Sequence, residues 1–287
     1  MTFFPDDTAN VVLVGPGAAQ GLPERAWYLS EHHLVGRRDC GAVLAPGWAD
    51  YQEPKGIHQW FKSARGDGAR WLGAVMDPRE FFLPVYVHEA FGRPFQVVND
   101  GFWSDIDYIF ESQLQVYTKT FGLRYIDIRL ADQPRIADKM DPAFDRFVPY
   151  LVPVISGNSY WSGIEETREW SNGQSTERLK IYNSGDRKAY PEWVVKGPGI
   201  FRIPDGDTVV TTPMLKAGEV ALFHTDPSKR LAKSNMRPNL YGDMGAQRFR
   251  NAVPGRTWFS LKKLTVIAGN AASSAVCTIR PKSRRPR

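Results

Sequence analysis

The stretch NSGDRKAYPEWVVKGPG, from Asn183 to Gly199, alternates turn residues with a short β-type run. At its start, Asn183, Gly185 and Asp186 form a predicted turn, because Asn and Asp side chains bond to nearby backbone groups. Gly185 is expected to hold a positive φ there, a conformation that glycine adopts without strain. The chain is therefore predicted to reverse direction here, between one strand and the next.

The second half of the stretch predicts a strand with a defined beginning and end. Pro191 fits the first residue of a strand, where no ladder N–H is required. Trp193 lies in the run Glu192–Lys196 and is expected to anchor a core. Gly197 and, further along, Gly218 mark the turns that follow. Short antiparallel strands at this regular spacing are typical of a β-sandwich.

Further strands are predicted on both sides of this stretch, where β-branched and aromatic runs stand between turn residues. They cover Asn10–Val14, Phe81–His88, Gln113–Thr118, Leu123–Leu130, Phe147–Ile155, Arg178–Tyr182, Thr208–Thr212, Glu219–His224 and Ser260–Ala268. Gly122 can supply a positive φ in the hairpin turn before Leu123. The sequence therefore predicts a mainly β protein.

Helices are predicted at two places, and both are short. Ser104–Glu111 has a serine at its start that can serve as N-cap, followed by acids in the first turn, where the helix dipole favours them. A second helix is predicted over His58–Ala64.

The length of 287 residues favours two domains. We place the boundary after residue 157, because Phe147–Ile155 is apolar enough to complete a first sheet. The first domain then covers residues 1–157 and the second residues 158–270. Trp161, near the start of the second, is a second expected packing anchor.

The positive charge of the chain is concentrated at its C-terminal end. The formal net charge is +6, yet ten Lys or Arg and no Asp or Glu follow Asp243. The last basic residues are Arg280, Lys282, Arg284, Arg285 and Arg287. Residues 271–287 are expected to form a basic, flexible tail. It is either a solvated end or a contact for an acidic partner subunit or passing nucleic acid.

Sequence motifs for catalysis, cofactors and metals are missing from the chain. Gly15, Gly17 and Gly21 follow an apolar run, but Gln20 stands where a dinucleotide-binding turn needs its third glycine. The five histidines offer no metal-ligand spacing. The sequence therefore predicts a protein that is not an enzyme and binds no cofactor or metal.

Apolar runs, the charge of the first residues and the number of cysteines indicate the compartment in which the protein folds. No apolar run is long enough to cross a membrane, and the acidic start is unlike a signal peptide. Cys40 and Cys277 are too few for a disulfide framework, which favours folding in a reducing compartment. No membrane partner is expected.

Three stretches, taken in order, resemble the distal tail proteins of siphophages. The first is GDGARWLGAVMDPREFFLPVYV (Gly66–Val87), and the second is LQVYTKTFGLRYIDIRLAD (Leu114–Asp132). The third consists of YWSG (Tyr160–Gly163), the stretch Asn183–Gly199 and LKAGEVALFHTDPSKR (Leu215–Arg230). The first 65 residues match no part of that pattern and are expected to elaborate the first domain.

The resemblance implies a tail-tube-like, ring-forming β-barrel or sandwich domain with a short helix, followed by a galectin-like β-sandwich. It implies a hexameric ring at the tail tip of the virion, connecting the tail tube to the baseplate and receptor-binding apparatus. The implied partners are further copies of the chain, the tail tube protein, a hub protein and other minor tail proteins. DNA would only pass through the channel, and the protein would be made in the host bacterial cytoplasm.

Two other functions stay open at this point. A β-sandwich carbohydrate-binding module would attach a virion or enzyme to a cell wall, and exposed coplanar aromatic rings in the second domain would be its mark. A cell-wall glycoside hydrolase would need two facing carboxylates in one cleft. Glu165 and Glu166 lie beside Trp161 and Trp170, but adjacent acids on an extended chain point to opposite faces.

Overall fold

A computed structural model describes residues 9–21, 23–30, 40–46, 48, 53–64, 66–90, 92–136, 146–229 and 231–286. The chain divides into two compact units. Unit 1 runs to Ser162 and resumes at Arg284, while unit 2 spans Gly163–Ser283. The division therefore falls later than the predicted residue 157, and the chain returns to unit 1 after unit 2. The described residues contain one α-helix and are mainly β, so the predicted fold class is confirmed.

Unit 1 is built on a large antiparallel sheet that nearly closes on itself, with a separate two-stranded hairpin of β4 and β5. The strands of unit 1 are β1 (Asn10–Val14), β2 (Ala26–Tyr28), β3 (Ala42–Leu44), β4 (Gly56–Phe61), β5 (Arg70–Met76), β6 (Arg79–His88), β7 (Ser112–Thr118), β8 (Gly122–Leu130), β9 (Arg135–Ile136), β10 (Phe147–Ser156) and β11 (Trp161–Gly163). The sheet order is β2-β1-β7-β8-β10-β6-β3. Leu44 N donates to Leu29 O at 2.7 Å, which joins β3 to the segment after β2.

The core of unit 1 follows from the alternation along its strands, since successive side chains point to opposite faces. In β6, Leu83, Val85 and Val87 are fully buried. Gly122 has a φ of 68° at the turn between β7 and β8, as predicted. Strands β1, β6, β7, β8 and β10 thus each present one apolar face to a shared core.

The helix of unit 1 is α1 (Phe95–Ser104), so the predicted helix over Ser104–Glu111 is wrong. Phe95, Val98 and Phe102 form its buried face at helical spacing. Ser104 Oγ donates to Gly101 O at 2.7 Å, inside the last turn, and does not cap a helix start. The predicted helix over His58–Ala64 is also wrong, because Gly56–Phe61 is strand β4.

Unit 2 is a β-sandwich. Its strands are β12 (Glu166–Ser171), β13 (Lys180–Asn183), β14 (Glu192–Lys196), β15 (Ile200–Asp205), β16 (Thr208–Thr211), β17 (Val220–His224), β18 (Ala232–Ser234), β19 (Thr257–Ser260), β20 (Thr265–Ile267), β21 (Ser274–Ile279) and β22 (Lys282–Ser283). One sheet has the order β12-β21-β14-β17-β18, and the others are β16-β15-β20 and β13-β19. Trp193, Phe201 and Phe223 are fully buried between them. Gly163 N donates to Pro281 O at 2.8 Å, so the first and last segments of unit 2 are neighbours.

The predicted flexible tail at 271–287 is wrong for the described residues. Ser274–Ile279 forms β21, which pairs with β12 on one side and with β14 on the other. Ala275, Cys277 and Ile279 alternate into the core. Burial raises the pKa of the Cys277 thiol, which therefore stays protonated at neutral pH. The apolar alternation in this segment outweighs the charge of the residues that follow it.

Gly185 has a different role from the predicted one. Its φ is not positive, but a Cβ at Gly185 would lie 2.3 Å from Lys282 O and 2.6 Å from Lys282 N. The turn is held instead by Asn183, whose Oδ1 accepts from Gly185 N at 3.1 Å. Asn183 Nδ2 donates to Val253 O at 3.1 Å. Glycine is required here by the close passage of another backbone segment.

We expect Gly185→Ala to destabilise unit 2 by about 1–3 kcal/mol, because the new methyl group would overlap backbone that cannot rotate away. Gly242→Ala is the matched control, since a Cβ there would meet no atom within 4 Å. The control should change stability by less than about 0.5 kcal/mol. Urea denaturation of the full chain measures both, and equal midpoints for the two variants would contradict the packing role of Gly185.

Candidate assembly surface

A cluster of exposed apolar side chains lies on a hairpin of unit 1 formed by β4 and β5, which we call the arm (Gly56–Met76). The two strands pair only with each other among the described residues, and a β-bulge lies between Gln59 and Trp60. Six large apolar side chains of the arm are each at least 50% exposed: Ile57, Trp60, Phe61, Trp71, Leu72 and Val75. All residues of β4 are exposed, so both faces of the arm are uncovered.

The base of the arm is fixed to unit 1 by polar contacts. Asp77 N donates to Lys55 O at 3.0 Å, and Ser159 Oγ donates to Asp77 O at 2.7 Å. Arg79, which is 1% exposed, donates to Ser159 O at 2.9 Å and to Arg284 O at 2.8 Å. Burial lowers the pKa of Arg79 to about 10, so the guanidinium stays charged at neutral pH. The arm therefore projects from a rigid base.

A second exposed apolar segment of unit 1 follows α1. Tyr108 is 56% exposed and Ile109 is 75% exposed. Ile109 lines an open groove of about 630 Å³, together with the acidic residues Glu24, Glu111 and Asp127. A groove bordered by exposed apolar side chains is a typical place for another chain to bind.

The arm and the groove carry opposite charge. Within the described part of the arm, Lys62 and Arg70 oppose the single acid Asp67. In the groove, Arg129 Nη1 already pairs with Glu111 Oε1 at 2.9 Å, which leaves an excess of negative charge there. The two surfaces are therefore electrostatically complementary.

The structure buries the predicted anchor residues inside the units. Trp193 is a core residue of unit 2, while Trp161, expected in the second domain, belongs to the core of unit 1. Pro191 is buried just before β14, and its carbonyl accepts from Thr225 Oγ1 at 2.6 Å. These residues shape the fold and do not meet at one site.

The predicted turn residues are likewise dispersed. Gly218 has a φ of 77° in the turn before β17. A Cβ at Gly197 would lie 2.3 Å from Lys216 O, so this glycine, too, is required by close packing. Asp186 lies next to Gly185, with its Oδ1 4.0 Å from Arg187 Nε.

Of the basic residues predicted to contact a partner, Arg280, Arg284 and Arg285 pair with acids of the chain itself. Arg280 Nε donates to Glu165 Oε1 at 2.9 Å. Lys282 lies in β22, and its carbonyl accepts from Arg187 N at 3.0 Å. The ion-pair partner of Arg280 is thus an acid of unit 2 itself. Counting charges along the sequence could not identify this pairing.

The next two basic residues bind an acid of unit 1. Arg285 Nε donates to Glu53 Oε1 at 2.6 Å, and Arg284 Nη1 lies 3.9 Å from Glu53 Oε2. Arg285 O also accepts from Arg124 Nη1 at 2.7 Å. Arg287 lies outside the described residues. Arg284 and Arg285 therefore face an acid of the chain itself, and a contact of the basic residues with a partner stays a prediction.

Two alternative functions, a glycoside hydrolase and a carbohydrate-binding module, would each require a particular arrangement of side chains in unit 2. Glu165 is bound by Arg280, and Glu166 lies 3.9 Å from Arg168, so both carboxylates face cations. The exposed ring of Trp258 lies 4.9 Å from the Tyr182 ring but is tilted by 43°, so the pair is not coplanar. The described residues include no cluster of three metal-binding side chains and no helix suited to crossing a membrane.

Sequence reasoning missed the arm, although a signal was present. The run GIHQWF has three apolar or aromatic residues and no strict alternation, because every residue of this strand is exposed in the described part of the chain. A strand with two exposed faces lacks the pattern that burial imposes. The aromatic content alone could have indicated an interface segment.

Comparison with known proteins gives one relative in sequence and several in structure. The minor tail protein Gp27 of Mycobacterium phage D29 is 22% identical over an alignment of 286 residues, covering 74% of this chain and 81% of that protein. No protein-family model matches the chain.

The solved structures cover almost the whole chain. The crystal structure of SPP1 Dit (gp 19.1), described as a paradigm of the hub adsorption apparatus in phages that infect Gram-positive hosts, aligns with a TM-score of 0.58 at 11% identity. The alignment covers 95% of this chain and 98% of that one. A chain of the phage P2 baseplate in its activated, calcium-bound conformation aligns with a TM-score of 0.52 at 12% identity, covering 97% and 99%. The chain therefore has the fold of the phage distal tail proteins, and the resemblance seen in the sequence is confirmed.

Proposed function

We propose that this chain is a structural protein of a bacteriophage tail tip, where it forms a hexameric ring that connects the tail tube to the baseplate and receptor-binding apparatus. The similarity to SPP1 Dit, to a P2 baseplate chain and to a mycobacteriophage minor tail protein supports a structural role in the tail tip. The ring is our inference, and so are its place in the virion and its synthesis in the host cytoplasm.

The observation that carries the ring proposal is the arm. A two-stranded hairpin with no further packing is marginally stable in water. The arm keeps six large apolar side chains at least half exposed, and both of its outer strand edges lie unpaired among the described residues. Such a surface is completed by another chain.

The second copy of the chain is the occupant that best fits this surface. A closed ring needs two different, complementary patches on each copy. Unit 1 offers the basic, aromatic arm and the acidic groove beside Ile109. If the arm of each copy lies in the groove of the next, every copy uses both patches and no sheet edge remains free. The contact should bury more than about 1,000 Å².

The test of the ring is cryo-electron microscopy of the assembled tail tip. We expect six copies around an open channel, with unit 1 forming the inner ring. A single copy on the tail axis, or copies scattered along the tube, would contradict the assignment. Isolated protein is a weaker test, because ring formation can require the concentration and neighbours found in the tail.

The neighbour of the arm can be identified separately by photocrosslinking. A photoreactive phenylalanine analogue at position 60, in place of Trp60, should crosslink this chain to itself in assembled tails. Irradiation should give a ladder of species that ends at six copies, with crosslinked peptides from the groove around Ile109 and Asp127. Crosslinks to a different tail protein would assign the arm to an axial contact and contradict the ring interface.

A further inference from the structure

Unit 2 contains a pocket of about 510 Å³ that none of the contacts described above fills. One side is formed by the segment after β17, with Asp226. The other side is formed by Tyr241 and by the extended segment that includes Arg248 and Arg250. Three separate parts of the sequence therefore contribute residues of opposite charge and an aromatic ring to the lining of the pocket.

The two arginines reach the pocket because of the alternation in this segment. Phe249 is 6% exposed and packs in the core, whereas its neighbours Arg248 and Arg250 are exposed. Residues two apart in an extended chain lie on the same side, so both arginines line the pocket.

The Arg248 guanidinium is fixed in place. Its carbon lies 4.8 Å from the centre of the Tyr241 ring, and its Nη1 donates to Gly245 O and Gln247 O at 2.6 Å each. A cation over an aromatic face is attracted by the ring, which keeps the guanidinium beside Tyr241. Arg248 and Tyr241 together form one wall of the pocket.

Arg250 is held by its backbone but not by its side chain. Its N donates to Asp205 Oδ2 at 2.9 Å. Within the described part of the chain, its guanidinium has no hydrogen-bond or ion-pair partner. Arg250 lines the pocket, so a planar group with several donors is available there to an anion.

Asp226 offers the opposite charge in the same pocket. Its Oδ1 accepts from Ser228 N at 2.9 Å and from Ser228 Oγ at 2.7 Å. Burial raises the pKa of Asp226, but these bonds and the charges of Lys282 and Lys229 outweigh it, so the pKa is lowered. Its Oδ2 has no partner among the described residues, and it can accept hydrogen bonds from hydroxyl groups.

We propose that this pocket binds a saccharide that carries an anionic group. An inorganic anion would use Arg250 but offer Asp226 no hydroxyl donors, and a neutral sugar would leave Arg250 without a partner. A charged saccharide satisfies both, because its hydroxyl groups donate to Asp226 while its carboxylate or phosphate accepts from Arg250. The wall formed by Arg248 and Tyr241 gives its ring a surface to lie against.

The test is a titration of the full chain that is monitored by isothermal calorimetry and by amide NMR. The probes are oligogalacturonate, glucose 6-phosphate, inorganic phosphate and galactose. We expect saturable binding of one or both charged saccharides, weakened by salt. Arg250→Ala and Asp226→Asn should each lower that affinity about tenfold, as expected for a charge-assisted hydrogen bond. The probe that binds tells a carboxylated ligand from a phosphorylated one.

The matched control is Arg178→Ala, which removes the same charge from an exposed position of unit 2 outside the pocket. It should leave the affinity unchanged. The proposal is overturned if neither charged saccharide binds saturably, if inorganic phosphate or galactose binds equally well, or if Arg178→Ala weakens binding as much as Arg250→Ala. None of these results depends on ring assembly.

Discussion

A chain that carries Trp60→Ser, Trp71→Ser and Leu72→Ser is expected to fold normally yet fail to enter tail-tip rings. These side chains are 54–60% exposed, so their loss removes little packing within unit 1. The stability of the free chain should change by less than about 0.5 kcal/mol per substitution, as for other surface sites. The interface loses its aromatic anchors, which carry most of the free energy of typical protein contacts.

Trp258→Ser is the control for this effect. Trp258 is 53% exposed, close to the values in the arm, but it lies in unit 2. Complementation of a phage that lacks its own copy of the gene measures the outcome as tails with rings in electron micrographs. The triple variant should give none, and the control should give the wild-type number. Normal rings with the triple variant would mean that the arm is no subunit contact.

The second large effect is expected in the core of unit 2, from Arg237→Leu. Glu219 is fully buried in its side chain, and its Oε1 accepts from Arg237 Nε at 2.8 Å. Ser234 Oγ donates to the same oxygen at 2.6 Å, and Lys216 N donates to Oε2 at 2.9 Å. Loss of Arg237 leaves a buried carboxylate without its cation. We expect unit 2 to lose about 3–5 kcal/mol of stability at pH 7.

The same pair predicts how stability depends on pH. Burial alone would raise the pKa of Glu219, but the hydrogen bonds from Arg237, Ser234 and Lys216 lower it to about 2. Because the folded pKa lies below the unfolded value of 4.5, the contribution of Glu219 is complete above that pH. It should be lost as the pH falls from about 4.5 to about 2. In Arg237→Leu this loss should be much smaller.

Urea denaturation at pH 7 and pH 3 tests both statements. Arg168→Leu is the control, since Arg168 lies 3.9 Å from Glu166 in an exposed pair. Such pairs contribute at most about 1 kcal/mol. Equal stabilities of the two variants at pH 7 would show that Arg237 does not compensate the buried charge.

Local patterns in the sequence were sufficient to predict a strand where one of its faces is buried. The runs Asn10–Val14 and Glu192–Lys196 are strands with the predicted bounds, because burial of alternate residues leaves a period of two in the sequence. The predicted strand Ser260–Ala268 is interrupted. It splits into the end of β19 and β20, with Lys262 and Lys263 in the turn between them.

Features that depend on distant segments could not be predicted. The requirement for Gly185 comes from Lys282, almost a hundred positions further along. The partners of Arg280 and Arg285 are Glu165 and Glu53, which local charge counting cannot identify. The arm lacked any alternation because its covering surface belongs to another molecule in our proposal. Fold class was thus predictable from local chemistry, whereas sites built by tertiary contact were not.

The return of the chain to unit 1 at Arg284 makes unit 2 an insertion between Ser162 and Arg284. Its first and last segments are neighbours, since Gly163 N bonds to Pro281 O at 2.8 Å. We therefore expect that a linker of a few residues could replace unit 2 and reconnect the two parts of unit 1. A single proteolytic cut at either crossing would leave both units covalently joined. Foreign domains with closely spaced termini could be grafted at this position without interrupting strands β1 to β10.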